Sequence, residues 1–553
     1  MDYPTTSSLL SWMIFTPMLG VAMILLVLGL RPFLRYGQAF IENFSRAVML
    51  LCSALVMAMA IALWGGFRGG SSGIQFVHHA VWIKQWAVEY FVGVDGISIS
   101  MVILTALVFL AAAVASVPWW GRLDDAHHPH FSKKRVPGYM ILFLLLETGV
   151  LGTFCSLDFF LFYIFWEVML LPMYFLIGIW GAPPRVEEGG RVRGGPYAAI
   201  KFFLYTLAGS VLMLLAMIAI YQYSGPSTLV DGTRTLHSFN ILHLTQMFAA
   251  GGFAAAPAVF GLGFMHAVFI ALFIGFSIKV PMFPFHTWLP DAHVDAPTPI
   301  SVILAGILLK TGMYGMLRFN LQMLNGAMEW AAWTIGVLGV INIVYGAFVC
   351  MAQKDLKKLI AYSSVSHMGF CLLGLAALTP QGLTGCVFQM FSHGIISPML
   401  FLIAGVIYDR AHTREIAGFG GLAERLPEYT GMVGLAFMAS LGLPGLAGFI
   451  GEVLVFLGGF GAANHAFRGL VAVGALSVII TAGYYLWTMQ RMFLGKLNDK
   501  WSGLWDLNWR ERITLYPLAA LTVLFGVYPA PIFNLVNTTL HALLPVVGGA
   551  VVR

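Results

Sequence analysis

The chain has 553 residues, of which 59% are hydrophobic and 10% charged. Soluble domains carry about 25% charged residues, so a soluble globular fold is excluded and the chain reads as a polytopic membrane protein. Its formal charge of +6 is dispersed over short loops between apolar runs, which excludes a nucleic-acid-binding surface.

One bilayer crossing takes about 20 apolar residues, and fourteen such runs follow one another, so the expected fold is all-α with about fourteen transmembrane helices. The first three are predicted at 9–30, 46–66 and 97–119. No Lys or Arg precedes the first, so it lacks the basic start of a cleaved signal peptide and should remain as a span. Polar segments at 67–96 and 121–136 flank the third. In the latter, DDAHHPH (124–130) could bind a metal; with no second ligand cluster it reads as a solvated loop. Spans four to eight fall at 137–156, 158–181, 197–222, 257–280 and 298–319, the seventh continuing as a broken second half to about 293. Spans nine to thirteen fall at 330–352, 357–378, 384–407, 431–458 and 468–492, and the fourteenth at 514–545. The resulting divisions are 1–136, 137–320, 321–493 and 494–553.

With the N-terminus outside, 22 Lys and Arg residues lie in inner loops and six (Arg68, Lys84, Arg234, Arg318, Arg468, Arg553) in outer segments. The positive-inside rule then sets both termini on the periplasmic side of a cell inner membrane, or its organellar equivalent. The five cysteines (Cys52, Cys155, Cys350, Cys371, Cys386) all lie in apolar runs without a CxxC pair. Iron–sulfur, zinc and disulfide readings are therefore poor, and no metal or cofactor is expected in this chain.

Glu147, Glu167, Lys279, Lys310 and Glu452 lie well inside spans. Each costs about 2.5–3.5 kcal/mol to insert, so each should face a protein or water-filled interior. The bland reading is a set of ion pairs that glue helices together. Five such charges, with no other in the spans, favour a proton path, because changing the geometry of a Lys–Glu pair takes up or releases a proton. Polar residues at helical spacing accompany them: Lys310 with Tyr314, Ser363 with His367, and Gln389 with His393 and Ser397. Such stripes also form interhelical hydrogen bonds. His367 and His393, between Lys310 and Glu452 in the chain, fit a relay. Two helix breaks carry charge: Pro281 just after Lys279, and the Gly-rich stretch around Pro444 just before Glu452. Breaks at matching places mark transport sites in inverted repeats, here spans 4–8 and 9–13 with helices 7 and 12 broken.

Three stretches carry a resemblance. FYIFWEVMLLPMYFLIGIWG (162–181), FHTWLPDAHVDAPTPISVILAGILLKTGMYG (285–315) and KDLKKLIAYSSVSHMGF (354–370) resemble the antiporter-like subunits of proton-pumping NADH:quinone oxidoreductase, respiratory complex I. The family also holds subunits of Mrp-type antiporters and membrane-bound hydrogenases. The resemblance implies proton-translocation roles for Glu167, Lys279, Lys310, His367, His393 and Glu452; Glu147 is an additional buried carboxylate argued from burial alone. A glutamate at the broken twelfth span, Glu452, resembles the M-type branch and argues against the Mrp reading. The expected partners are then the L-type and N-type antiporter-like subunits and lipids. Flavin and iron–sulfur clusters are expected in other subunits, since no dinucleotide motif occurs in this one.

Overall fold

The computed structural model describes residues 7–544 except 35, 118–135, 187–189, 191 and 254–255. The DDAHHPH stretch lies outside the described residues. Backbone groups in hydrocarbon must pair within their own segment, and the described chain is accordingly almost all helix. α1 (Leu9–Leu34) and α2 (Gln38–Gly66) lead to the hairpin β1 (Gln75–Ile83) and β2 (Val88–Val94), then to α3 (Gly96–Ser116). The strands pair antiparallel with two register shifts. The hairpin is a finding the hydropathy pattern did not give, because 67–96 reads only as a polar connection.

The stretch after α3 contains α4 (Val136–Cys155), α5 (Phe159–Trp180), α6 (Gly195–Tyr223), the short α7 (Ile241–Ala249), α8 (Phe264–Lys279) and α9 (Trp288–Asp295). It closes with Thr298–Met323, a continuous helix of α10 (Thr298–Ile303), a π stretch (Leu304–Leu308), α11 (Leu309–Gly315) and a second π stretch (Met316–Met323). Two-residue strands β3 (Arg185–Val186) and β4 (Val192–Arg193), and β5 (Ser227–Thr228) and β6 (Arg234–Thr235), close its loops. The next stretch contains α12 (Asn325–Met351), α13 (Leu356–Ala376), α14 (Pro380–Ala411), α15 (Leu422–Arg425), α16 (Pro427–Ser440), α17 (Ala447–Phe460) and α18 (Phe467–Phe493).

Eleven helices among the described residues are long and apolar enough to cross a membrane; α8 and α17 are shorter apolar helices. The predicted last span, 514–545, is two helices, α19 (Trp509–Val527) and α20 (Ala530–Leu543), bent by 65°. Pro529 and Pro531 at the joint cannot donate to a continuing ladder. α20 turns back over the hairpin end of the bundle: Thr538 Oγ1 donates to Gly69 O at 2.7 Å, and the Gly96 N–H donates to Thr539 Oγ1 at 3.1 Å.

Thr298–Met323 and α14 are wholly enclosed by other helices. They form the core of the bundle. Large apolar side chains point outward from α1, α2 and α18, including Leu19, Leu51 and Ile479, as lipid contact requires.

Candidate functional site: a row of buried polar side chains

The row begins where the helix widens. In a π turn the i→i+5 pattern replaces i→i+4, and Lys310 Nζ donates to the carbonyl of Ala305, five residues back in the stretch Leu304–Leu308. The same Nζ lies 2.6 Å from His393 Nδ1 on α14. The rings of His393 and His367, on α13, have centroids 5.5 Å apart. His367 Nδ1 is 3.5 Å from Glu452 Oε1 on α17. On its other edge, His367 Nε2 is 3.0 Å from Ser440 Oγ, which is 2.7 Å from the Tyr485 hydroxyl on α18. Lys310, His393, His367 and Glu452 are all buried. Sequence reasoning named the four; they stand on four different helices, each next to its successor.

Glu452 is set by the second break. Gly442 (φ +81°) and Gly445 (φ +91°) take left-handed backbone around Pro444, a conformation that favours glycine. A Cβ on Gly442 would run into Glu452 Oε2. The turn therefore favours a glycine there, and a side chain in its place would push the carboxylate aside.

Lys279 ends α8 and is buried. Its ammonium stands 5.0 Å from the Trp166 ring centroid and 5.9 Å from that of Phe202, the arrangement of a cation over aromatic faces. Glu167, the next residue after Trp166, is its electrostatic partner. The two are not in ion-pair contact: Glu167 is half-buried and its Oε1 has no hydrogen-bond partner. Lys279 also packs against the Lys310 helix, where a Cβ on Gly312 would lie 3.0 Å from Lys279 Cβ. Beyond Pro281 the unwound turn is held by side chains: Trp288 Nε1 donates to Ile278 O at 2.9 Å, and the Phe283 N–H donates to Asn342 Oδ1 at 2.7 Å.

Other sequence-selected residues lie off the row. Glu147 is fully buried, and its Oε2 accepts from Ser53 Oγ on α2 at 2.9 Å. It faces the N-terminal helices rather than Lys279. Tyr314, expected beside Lys310, instead donates to Phe154 O at 3.0 Å. Ser397 Oγ is buried without a partner, and Ser363 Oγ donates to Ile360 O at 2.8 Å.

Arg318 corrects a sequence expectation. It is not a solvated residue of an outer segment but lies buried in the second π stretch, joined to Asp95 by Nη1–Oδ2 at 2.7 Å and Nη2–Oδ1 at 2.9 Å. The fork of a guanidinium matches a carboxylate in this way. The missed signal was spacing: Arg318 follows Lys310 and Tyr314 on one helical face. Lys357, expected in an inner loop, is buried in the first turn of α13 and donates to Ala296 O at 2.7 Å. His293, missed by sequence reasoning, is fully buried, stacks on Phe401 at 4.2 Å and stands in the electrostatic reach of both Lys357 and Lys310.

A helical bundle with breaks beside Lys279 and before Glu452 and a buried Lys–His–His–Glu row points to an antiporter-like membrane subunit. Residues 156–481 match the family model described as NADH:quinone oxidoreductase/Mrp antiporter, TM. NADH-quinone oxidoreductase subunit M of Rhodobacter capsulatus is 41% identical over 97% of this chain and 96% of its own. F(420)H(2) dehydrogenase subunit M of Methanosarcina mazei is 36% identical over 90% of this chain and 93% of its own. Among solved structures, a chain of respiratory complex I from Thermus thermophilus aligns with TM-score 0.77 and 26% identity over 97% of this chain and 99% of that one. The chain belongs to this antiporter-like family, in its M-type branch.

Among the described residues no group of three His, Cys, Asp or Glu side chains is arranged to hold a metal ion. What the row offers is proton chemistry: an ammonium that donates, two imidazoles that accept and donate, and a carboxylate that accepts.

Proposed function

We propose that this chain translocates protons as the M-type membrane subunit of a respiratory NADH:quinone oxidoreductase, driven by quinone reduction in other subunits. The observation that carries the reading is the buried row Lys310–His393–His367–Glu452. Lys310 hands its proton to His393 Nδ1 across the contact already made. His393 passes it to His367 by ring reorientation or an intervening water, and His367 delivers it to Glu452. Lys279, governed by the charge of Glu167, reloads Lys310 from the neighbouring helix.

The helices support fourteen crossings: eleven uninterrupted ones, the broken pairs α8/α9 and α16/α17, and α19. With five crossings per unit, an odd number, consecutive units run in opposite directions, which supports inverted repeats over spans 4–8 and 9–13. The basic loops set both termini on the periplasmic side of an inner membrane. L-type and N-type subunits are the neighbours in the membrane, and flavin and iron–sulfur centres sit in other chains. The electron donor is open to variation, since the relative from Methanosarcina mazei is a subunit of an F(420)H(2) dehydrogenase.

The test is proton uptake by proteoliposomes containing the fully assembled complex. Lys310→Ala and His367→Ala should each lower NADH-driven uptake about tenfold or more, a loss of about 1.4 kcal/mol or more. Wild-type uptake in both would overturn the reading. Sodium-driven proton exchange without NADH would favour the Mrp-type alternative, and a reporter fused to the C-terminus and active in the cytoplasm would overturn the topology.

A further inference from the structure

We infer that Asn342 on α12 is a positioning residue that ties the helix break beside Lys279 to His367, coupling the two five-helix units. The inference rests on the proton-translocation reading above. α12 belongs to the second unit, yet it grips the broken helix of the first. Asn342 is fully buried. Its Oδ1 accepts the Phe283 N–H at 2.7 Å, and its Nδ2 donates to Pro281 O at 3.4 Å. Both backbone groups belong to the unwound turn, where no helical neighbour serves them, and buried backbone groups without partners are costly. Tyr345 lies three residues further along the same face. Its hydroxyl is 3.3 Å from His286 Nε2 and its ring centroid 5.3 Å from that of Phe283. α12 therefore holds the break on both sides.

The adjoining face of α12 leads to the row. Ser366 Oγ on α13 donates to the carbonyl of Ile343, the neighbour of Asn342, at 2.9 Å. The helices touch closely there: a Cβ on Gly346 would meet Ser366 N at 2.8 Å, and one on Gly369 would meet Ile343 N at 2.8 Å. Such close backbone packing transmits a displacement instead of absorbing it. Ser366 immediately precedes His367, whose Nδ1 faces Glu452. Pro281 and Phe283, Asn342, Ile343, Ser366 and His367 thus form a contiguous chain of contacts from the Lys279 break to the far half of the row. A shift of the break on protonation of Lys279 moves α12, and α12 re-aims His367.

A merely structural Asn342 would satisfy two backbone groups and nothing more, so the test reads coupling, for which a double-mutant cycle is the direct measure. The readout is NADH-driven proton uptake per assembled complex in proteoliposomes for Asn342→Leu, Ser366→Ala and the double variant, with Lys279→Ala alongside. Each single variant should lose uptake several-fold, and the double variant should be no worse than Asn342→Leu, because both act on one link. Losses that multiply, or wild-type uptake per complex in Asn342→Leu, overturn the inference. If Asn342→Leu does not assemble, Asn342→Asp, which keeps an acceptor for the Phe283 N–H but loses the amide donor to Pro281, replaces it in the same cycle with the same criteria. Failure of the underlying reading looks different: there Lys279→Ala itself retains wild-type uptake.

Discussion

Lys310 Nζ and His393 Nδ1 stand 2.6 Å apart, with the ammonium also held by the Ala305 carbonyl. An ammonium has donors only, so Nδ1 must be the acceptor while Lys310 is charged. The π turn at Leu304–Leu308 turns its carbonyl toward the side chain that the row uses. His393→Ala removes the acceptor and should cut proton uptake about tenfold, while His393→Gln, which keeps an acceptor at similar reach but cannot relay a proton, should be as poor. Uptake by His393→Gln near the wild-type level would show that the imidazole only anchors the lysine.

Lys279 faces Glu167 without touching it. A charge that acts at a distance is replaced by another of the same sign more readily than by a neutral isostere. Lys279→Ala should abolish or severely reduce pumping and, with tight coupling, slow electron transfer. Glu167→Gln should impair pumping comparably, and Glu167→Asp should be milder. Proton uptake and quinone-reductase rates measured together on the assembled complex check the order of the three.

The Asp95–Arg318 pair is buried on both sides, and Asp95 also caps α3 through the Ile97 and Ser98 N–H groups. Removing one member of a buried pair strands the other and costs about 3–5 kcal/mol. Asp95→Ala should therefore deplete the assembled complex in membranes. The double variant Asp95→Asn, Arg318→Met, which leaves no stranded charge and keeps a cap, should recover much of it. Complex abundance by native gel decides, and a double variant worse than Asp95→Ala would contradict the argument.

Glu89 lies in the hairpin, outside the spans. Burial works against its carboxylate, but hydrogen bonding from His79, the Val230 N–H and Asn240 outweighs it and holds the pKa below the usual range. The His79 Nε2 contact is 3.0 Å and the Val230 contact 2.9 Å. A depressed carboxylate stabilises the fold above its unfolded value of about 4.3, and that stabilisation is lost as pH falls through the lower folded value. The hydrogen-exchange protection factor at Val230, taken against the intrinsic rate at each pH, should therefore fall as pH drops through the lowered folded value, and Glu89→Gln should flatten that response. An identical acid response in the variant would place the titrating group elsewhere.

Much of the site was legible because charge in an apolar run is costly and therefore conspicuous: Lys279, Lys310, Glu167 and Glu452 stand out near the middle of runs that are otherwise mostly apolar. Arg318 and Asp95 were harder, since each stands near the predicted edge of its span, where hydropathy does not distinguish a solvated charge from a buried one. Asn342 was harder still. A single uncharged amide in an apolar helix gives a weak signal, and its importance comes from the backbone it meets sixty residues away in sequence.

The sequence by itself determined the class of fold, because hydrocarbon leaves an apolar chain no alternative to helices. It also marked the breaks beside Lys279 and before Glu452, because proline and glycine act on the backbone locally. Pairing was decided only by the tertiary structure: that Lys310 meets His393, that Glu167 stands off from Lys279, and that α20 folds back instead of continuing the last span. The physical reason is range. Insertion cost and helix breaking are properties of a few adjacent residues, whereas a hydrogen bond depends on which distant helices pack together and at what rotation, and helix rotation is set by the close approach of residues such as Gly312, Gly346 and Gly369 to partners elsewhere in the chain.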